Sequence, residues 1–146
     1  MRHHYYPYLA SEDYLSFTFK SISEKRIICK KAEFLPISDD IYNFAFGDLA
    51  DENAIDDRAV TDNKDMNMVL ATIIQILLEF LETHKNKAVY FQGSTTSRTR
   101  MYQIILRREK PNWENRLIVY GIFNDEIMPY ETDFSFDAFI VKQKPN

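Results

Sequence analysis

The sequence predicts an α+β fold, in which a mainly antiparallel sheet carries two helices packed on one face. Hydrophobic residues alternate along several short stretches, as in half-buried strands, and recur at three- and four-residue steps in two longer stretches, as in amphipathic helices. The predicted order is four strands, a helix, a strand, a helix and three strands. The chain has 146 residues, which is an ordinary single-domain size, so we expect one domain over residues 1–146.

Four strands are expected in the first part of the chain, because short alternating runs are separated there by polar turns. They cover residues 14–20, 26–37, 41–49 and 54–61. The first alternates strictly, which is typical of a half-buried strand, and the second carries a basic face. The fourth is short and polar, which is typical of a strand near a sheet edge. We expect these strands to form an antiparallel meander.

Two helices are expected in the middle of the chain. The first runs from about 63 to 84, and one of the polar residues 61–63 is expected to cap its start. Its hydrophobic stripe consists of Met66, Val69, Leu70, Ile73, Leu77, Phe80 and Leu81. The second helix covers residues 97–109 and ends before Pro111, since proline does not continue a helix.

The other four predicted strands surround the second helix. One of them, residues 87–93, lies between the two helices. The last three cover residues 116–124, 126–131 and 137–144. The first two of these are expected to be joined by the turn at residues 124–126.

Composition narrows the class of protein. The single cysteine, Cys29, cannot form an intrachain disulfide, and no Cys/His spacing matches a zinc site, so we expect a cytoplasmic protein. The first residues lack the apolar region of a signal peptide, and the most apolar stretch, 66–81, contains Gln75 and Glu79. We therefore expect no membrane span. No motif indicates a cofactor.

Charge is distributed unevenly along the chain, although the net charge is only −4. Residues 48–65 are rich in aspartate and glutamate, whereas residues 98–116 are rich in arginine and lysine. Either these two segments face each other or each of them faces a partner.

The candidate functional site is the stretch GSTTSRTR, residues 93–100, between a predicted strand and a predicted helix. The start of a helix presents free backbone N–H groups and the positive end of the helix dipole to an anion. The predicted anion-binding residues are Ser94, Thr95, Thr96, Arg98 and Arg100. Arginines in a first helical turn oppose the helix dipole unless a negative charge compensates them. A phosphate would provide this charge.

The same residues have a structural interpretation. One of the hydroxyl residues at positions 94–96 would then be an ordinary N-cap, and Arg98 and Arg100 would pair with internal carboxylates such as Asp48. The stretch lacks the glycine spacing and the lysine of a P-loop, so nucleotide hydrolysis of that type is not indicated. Asp48 and Tyr102 are candidate neighbours of the site.

Metal binding is not expected. The acidic segment offers hard oxygen ligands at Asp48, Asp51, Glu52, Asp56 and Asp57, but their order does not match an EF-hand loop. Acidic residues around a tight turn are more often solvated turn formers.

Several short motifs resemble those of a family of short bacterial proteins of unknown function, of the Bacteroidetes type. The motifs are YNFAFGD (42–48), VLATI (69–73), GSTTSRTRMY (93–102), VYG (119–121) and FDAFIVKQK (136–144). The resemblance covers nearly the whole chain, and its GSTxSRTRxY motif is distinctive. It implies a single domain in a bacterial cytoplasm and no particular activity.

Three functions remain open at this point. The first is a non-catalytic binding or regulatory module that holds a phosphate-bearing ligand or nucleic acid. The second is a small phosphoester-processing enzyme, such as a toxin-like ribonuclease, with Arg98 and Arg100 stabilising charge and Tyr102 or Asp48 transferring protons. The third is a protein-interaction partner or homodimer whose arginines bind carboxylates.

Overall fold

The computed structural model of the chain describes residues 5–49, 55–56, 65–93 and 95–145. Its strands are β1 (Tyr8–Ala10), β2 (Ser16–Ile22), β3 (Ile27–Pro36), β4 (Ile41–Leu49), β5 (Ile55–Asp56), β6 (Ala88–Phe91), β7 (Leu117–Phe123), β8 (Glu126–Pro129) and β9 (Ala138–Gln143). Its helices are α1 (Met66–Thr83), α2 (Thr96–Arg108) and α3 (Lys110–Trp113). The predicted α+β class is confirmed.

The strands form a single mixed sheet in the order β1-β2-β3-β4-β6-β9-β7-β8, and β5 pairs with β4 beside this path. Most neighbours are antiparallel, as predicted, whereas β4 and β6 run parallel. A parallel pair needs a crossover connection, and α1 lies in that connection. Strand β9, near the end of the chain, lies between β6 and β7 and pairs with both. It therefore connects, within the sheet, the strand that precedes α2 and the strand that follows the helices.

The core lies between the helices and one face of the sheet. Alternate residues of each strand point to this face, and many of them are phenylalanines. Phe80 of α1 stacks on Phe34 of β3 with ring centroids 3.9 Å apart. Tyr102 of α2 lies against Phe44 and Phe91, at 5.9 Å and 5.6 Å. Burial of one such side chain contributes roughly 1.5–3 kcal/mol, so these aromatic layers account for much of the packing energy.

Two short elements of the structure were not predicted, and one predicted strand is described only in part. Strand β1 was not expected, and it forms because its residues pair in register with β2 from Tyr8↔Phe19 to Ala10↔Phe17. A third helix, α3, follows α2, and Pro111 lies in its first turn, where proline is tolerated. The fourth predicted strand, 54–61, is described only at β5, and the rest of it lies outside the described residues.

The start of α1 is held in a different way from the prediction. The helix begins at Met66, and the expected capping residues 61–63 lie outside the described part of the chain. Asp65 occupies the capping position without a side-chain bond to the helix. Its carboxylate instead accepts hydrogen bonds from the hydroxyl groups of Tyr6 and Ser21. The helix start is thereby tied to the β2 side of the sheet.

Helix α1 is, by length and composition alone, long and apolar enough to cross a membrane. The core helix of a globular domain passes the same test. Here ten of its residues are buried in the structure, including Leu70, Ile73 and Leu77.

Candidate functional site: a cleft along helix α2

The turn from β6 into α2 is built by four residues of the predicted site motif. The Thr95 hydroxyl accepts a hydrogen bond from the Arg98 N–H at 3.1 Å, so Thr95 is the N-cap of α2. The Thr99 hydroxyl accepts a hydrogen bond from the Gly93 N–H at 3.0 Å. A Cβ at position 93 would lie 2.4 Å from the Arg98 Cβ and 2.5 Å from the Thr99 nitrogen. Only glycine therefore allows the strand end and the first helical turn to approach this closely.

Helix α2 has a buried face and a polar face. The buried face carries Arg98, Tyr102, Ile105 and Leu106. The polar face carries Thr96, Thr99, Arg100, Gln103, Ile104 and Arg107, whose spacing of three and four residues places them on one side of a helix.

The polar face of α2 forms one wall of an open cleft of about 930 Å³, which we call the α2 cleft. The facing wall comes from the turn between β7 and β8 and from the segment before β9. Its side chains include Phe123, Asp125, Ser135, Phe136 and Asp137. The cleft thus combines two arginines, two aspartates, several hydroxyl groups and an exposed aromatic ring.

The facing wall is held in place by hydrogen bonds and backbone geometry. Asn124 and Asp125 both have positive φ values, 51° and 63°, as in the tight hairpin turns that match the twist of a sheet. The Asn124 N–H donates to Asp137 Oδ2 at 3.1 Å. The Gln103 amide group binds the neighbouring backbone twice, donating to the Phe134 carbonyl at 2.6 Å and accepting from the Phe136 N–H at 3.2 Å. The two walls are therefore connected.

Charges of both signs line the α2 cleft. Arg100 and Arg107 lie on the helix wall, and Asp125 and Asp137 lie on the facing wall. Burial, and to a smaller extent the charge of Asp125, raises the pKa of Tyr90. A ligand with an anionic group and a hydrogen-bond donor would match both walls.

The predicted site residues fall into two groups. Thr95, Thr96 and Arg100 line the α2 cleft, whereas Ser94 lies outside the described residues. Arg98 is only 7% exposed and lies on the buried face, where its Nη1 contacts the Met101 sulfur at 3.5 Å. Residues two positions apart on a helix point to nearly opposite sides. Arg98 and Arg100 consequently do not share the cleft.

The two candidate neighbours of the site also lie elsewhere. Asp48 forms an ion pair with Lys30, its direct cross-strand partner, and the Lys30 side chain is almost completely buried. Tyr102 is only 2% exposed and lies in the aromatic core. Neither residue is among those that line the α2 cleft.

Sequence reasoning missed two groups of cleft residues. Arg107 lies seven positions after Arg100, which is two helical turns on the same face, and this spacing could have identified it. Asp125 and Asp137 follow α2 in the chain by many residues, and no local pattern connects them with it. Among the described residues, no cluster of three or more His, Cys, Asp or Glu side chains could hold a metal ion.

The chain belongs to the family of unknown function DUF6934, whose sequence profile matches residues 2–144. Comparison with curated proteins and with solved structures gives no match.

Proposed function

We propose that the protein is a non-catalytic binding module whose α2 cleft takes a phosphate-bearing ligand. The observation that carries this proposal is the placement of Arg100 and Arg107 in one cleft with the hydroxyl groups of Thr95 and Thr96 at the start of α2. Arginine and hydroxyl groups are common phosphate ligands, and the helix start adds free N–H groups and a favourable dipole. A nucleotide or a nucleic-acid backbone would supply the phosphate.

Arg98 has a supporting role in this proposal. Its aliphatic carbons pack against the Gly93 backbone under the first turn of α2. It would therefore hold the helix start in position, while Arg107, two helical turns after Arg100, is the second arginine of the cleft in place of Arg98. The exposed Phe123 ring on the facing wall offers a surface on which a base could stack.

Binding is favoured over phosphoester hydrolysis by the environments of the two expected proton-transfer groups. Tyr102 is packed among core aromatic rings, and Asp48 is paired with Lys30. Asp137, on the cleft wall, accepts a hydrogen bond from the Asn124 backbone. We also propose that the protein is bacterial and cytoplasmic, and that the GSTxSRTRxY motif is common to its family.

The test is the thermal midpoint of the protein with inorganic phosphate, nucleotides, and short RNA and DNA oligonucleotides at low and moderate salt. A ligand at about a hundred times its dissociation constant should add roughly 2.7 kcal/mol of stability, which is a shift of several degrees. The shift should fall with salt, since phosphate binding by arginine releases counterions.

The matched variants are Arg100→Ala combined with Arg107→Ala, and Arg108→Ala on the same helix. Arg108 is exposed and donates to Asn67 Oδ1 at 2.6 Å, and it is not one of the cleft residues. The double variant should lose the shift and Arg108→Ala should keep it. No shift with any ligand would overturn the proposal in favour of a protein partner or homodimer. Turnover of a phosphodiester substrate would favour the enzyme.

A further inference from the structure

A second cleft, of about 720 Å³, lies at the β1 edge of the sheet, whereas the α2 cleft lies toward the β8 side. We call it the tyrosine cleft, because Tyr5, Tyr8 and Tyr14 line it together with Glu79. None of these four residues lines the α2 cleft. Three electron-rich rings and one carboxylate in a single cleft are the components of a site for an organic cation.

Glu79 supplies the negative charge of the tyrosine cleft. It is half-buried on α1, and its Oε1 accepts a hydrogen bond from the Tyr8 hydroxyl at 2.6 Å. Burial and this hydrogen bond raise the pKa of Tyr8. The Tyr8 hydroxyl is a neutral donor, so it binds the Glu79 carboxylate without cancelling its charge. The carboxylate therefore has a neutral partner inside the cleft.

Glu79 and the nearby Glu82 differ in their ionic partners. Glu82 is paired with Arg116, with Oε2 and Nη2 3.1 Å apart. Within the described residues, Glu79 forms no ion pair. A partly buried carboxylate whose hydrogen-bond donor is neutral attracts a cation more strongly than a paired one does.

Tyr14 lines the cleft and has an unfavourable backbone conformation. Its φ is 57°, in the left-handed region that bulky residues rarely adopt. The turn is fixed by hydrogen bonds from the Tyr14 N–H to the Ser11 carbonyl and from the Leu15 N–H to Asp13 Oδ1, each at 3.0 Å. The ring packs edge-on against Phe17, with centroids 6.2 Å apart. Backbone strain of this kind is often found at binding sites, where the surrounding structure maintains it.

We propose that the tyrosine cleft binds an organic cation of the alkylated-ammonium class. Methylated ammonium groups are large and less strongly hydrated than a lysine ammonium, so aromatic walls compensate for their lost water more readily. The same chemistry occurs in a free small cation and in a methylated lysine of a peptide. The carboxylate of Glu79 disfavours anions, which separates this site from the phosphate site proposed for the α2 cleft.

The first experiment titrates the protein with choline, with a trimethyllysine peptide and with 3,3-dimethylbutanol, which is the neutral isostere of choline. Both cations should bind, and the neutral isostere should bind at least about tenfold more weakly. Tighter binding of the peptide than of choline would identify a modified protein as the source, and equal binding would identify a small molecule. Equal binding of choline and its neutral isostere, or binding of neither cation, would overturn the proposal.

Three substitutions test the residues themselves. Tyr14→Phe keeps the aromatic ring and should retain choline binding, whereas Tyr14→Leu should weaken it by at least about fivefold. Glu79→Gln keeps an acceptor for the Tyr8 hydroxyl but removes the charge, and should weaken binding about tenfold. Unchanged affinity in both Tyr14→Leu and Glu79→Gln would contradict the assignment. Arg100→Ala should leave choline binding unchanged, so failure of the phosphate site would not affect this result.

Discussion

Helix α2 places arginine side chains in two different environments. Arg98 lies on the buried face, packed against the end of β6, whereas Arg100 and Arg107 lie on the polar face and line the α2 cleft. All of them belong to the same basic stretch of sequence. The difference shows that the role of an arginine is decided by its angular position on the helix relative to the sheet. Residues on the buried face should determine stability, and residues on the polar face should determine binding.

The largest expected effect is the loss of an aromatic side chain from the buried face. Tyr102→Ala would remove a ring that contacts Phe44 and Phe91. We expect the free energy of unfolding to fall by about 3–5 kcal/mol, measured by urea denaturation. Tyr102→Phe keeps the ring and should cost less. Equal stability of Tyr102→Ala and the unmodified protein would show that α2 is not packed on the sheet as described.

The second effect concerns the buried arginine. Arg98→Ala should lower the free energy of unfolding by about 1–3 kcal/mol without any ligand, because a buried side chain that packs against Gly93 and contacts the Met101 sulfur is lost. The matched control is Arg100→Ala in the same denaturation experiment. If the two variants were equally stable, the distinction between the two faces would fail.

The helix cap should have a smaller effect. Thr95→Ala removes the hydroxyl that accepts from the Arg98 N–H and should cost about 1 kcal/mol. Thr95→Ser keeps the hydroxyl group and should remain close to the unmodified protein in thermal midpoint. A loss in Thr95→Ser as large as in Thr95→Ala would argue against the capping role.

The smallest effect on stability is expected on the polar face. Arg100→Ala and Arg107→Ala should each change the free energy of unfolding by no more than about 0.5 kcal/mol, because both side chains are exposed. Both variants should nevertheless bind phosphate-bearing ligands more weakly, as a titration followed by calorimetry would show. A large loss of stability in either variant would indicate a structural role in place of binding.

The order of elements was largely predictable because it depends on local hydrophobic periodicity. The long helix follows from hydrophobic side chains that repeat every three to four residues. The strands around it follow from hydrophobic side chains at every second residue. Strand β1 has only three residues, Tyr8–Ala10, and no such repeat. It forms because it pairs with β2. The chain just before it is also fixed by a hydrogen bond, since the Tyr6 N–H donates to the Thr72 hydroxyl of α1 at 2.8 Å.

The candidate site was only partly predictable. The motif at residues 93–100 identified the helix start, and Thr95, Thr96 and Arg100 do line the α2 cleft. We expected Asp48 near Arg98 and Arg100 only because their charges are opposite. The register between β3 and β4 pairs Asp48 with Lys30, and no local sequence pattern specifies that register.

Local sequence patterns were enough to predict the α+β class, the order of the longer elements and the position of the motif at a strand-to-helix turn, because each depends on neighbouring residues. Tertiary structure alone decided which arginine is buried and which side chains face the cleft. It brought Asp125 and Asp137 opposite Arg100, and Tyr14 near Glu79, across long separations in the chain. The physical reason is that strand order and helix rotation are set by the packing of the whole core.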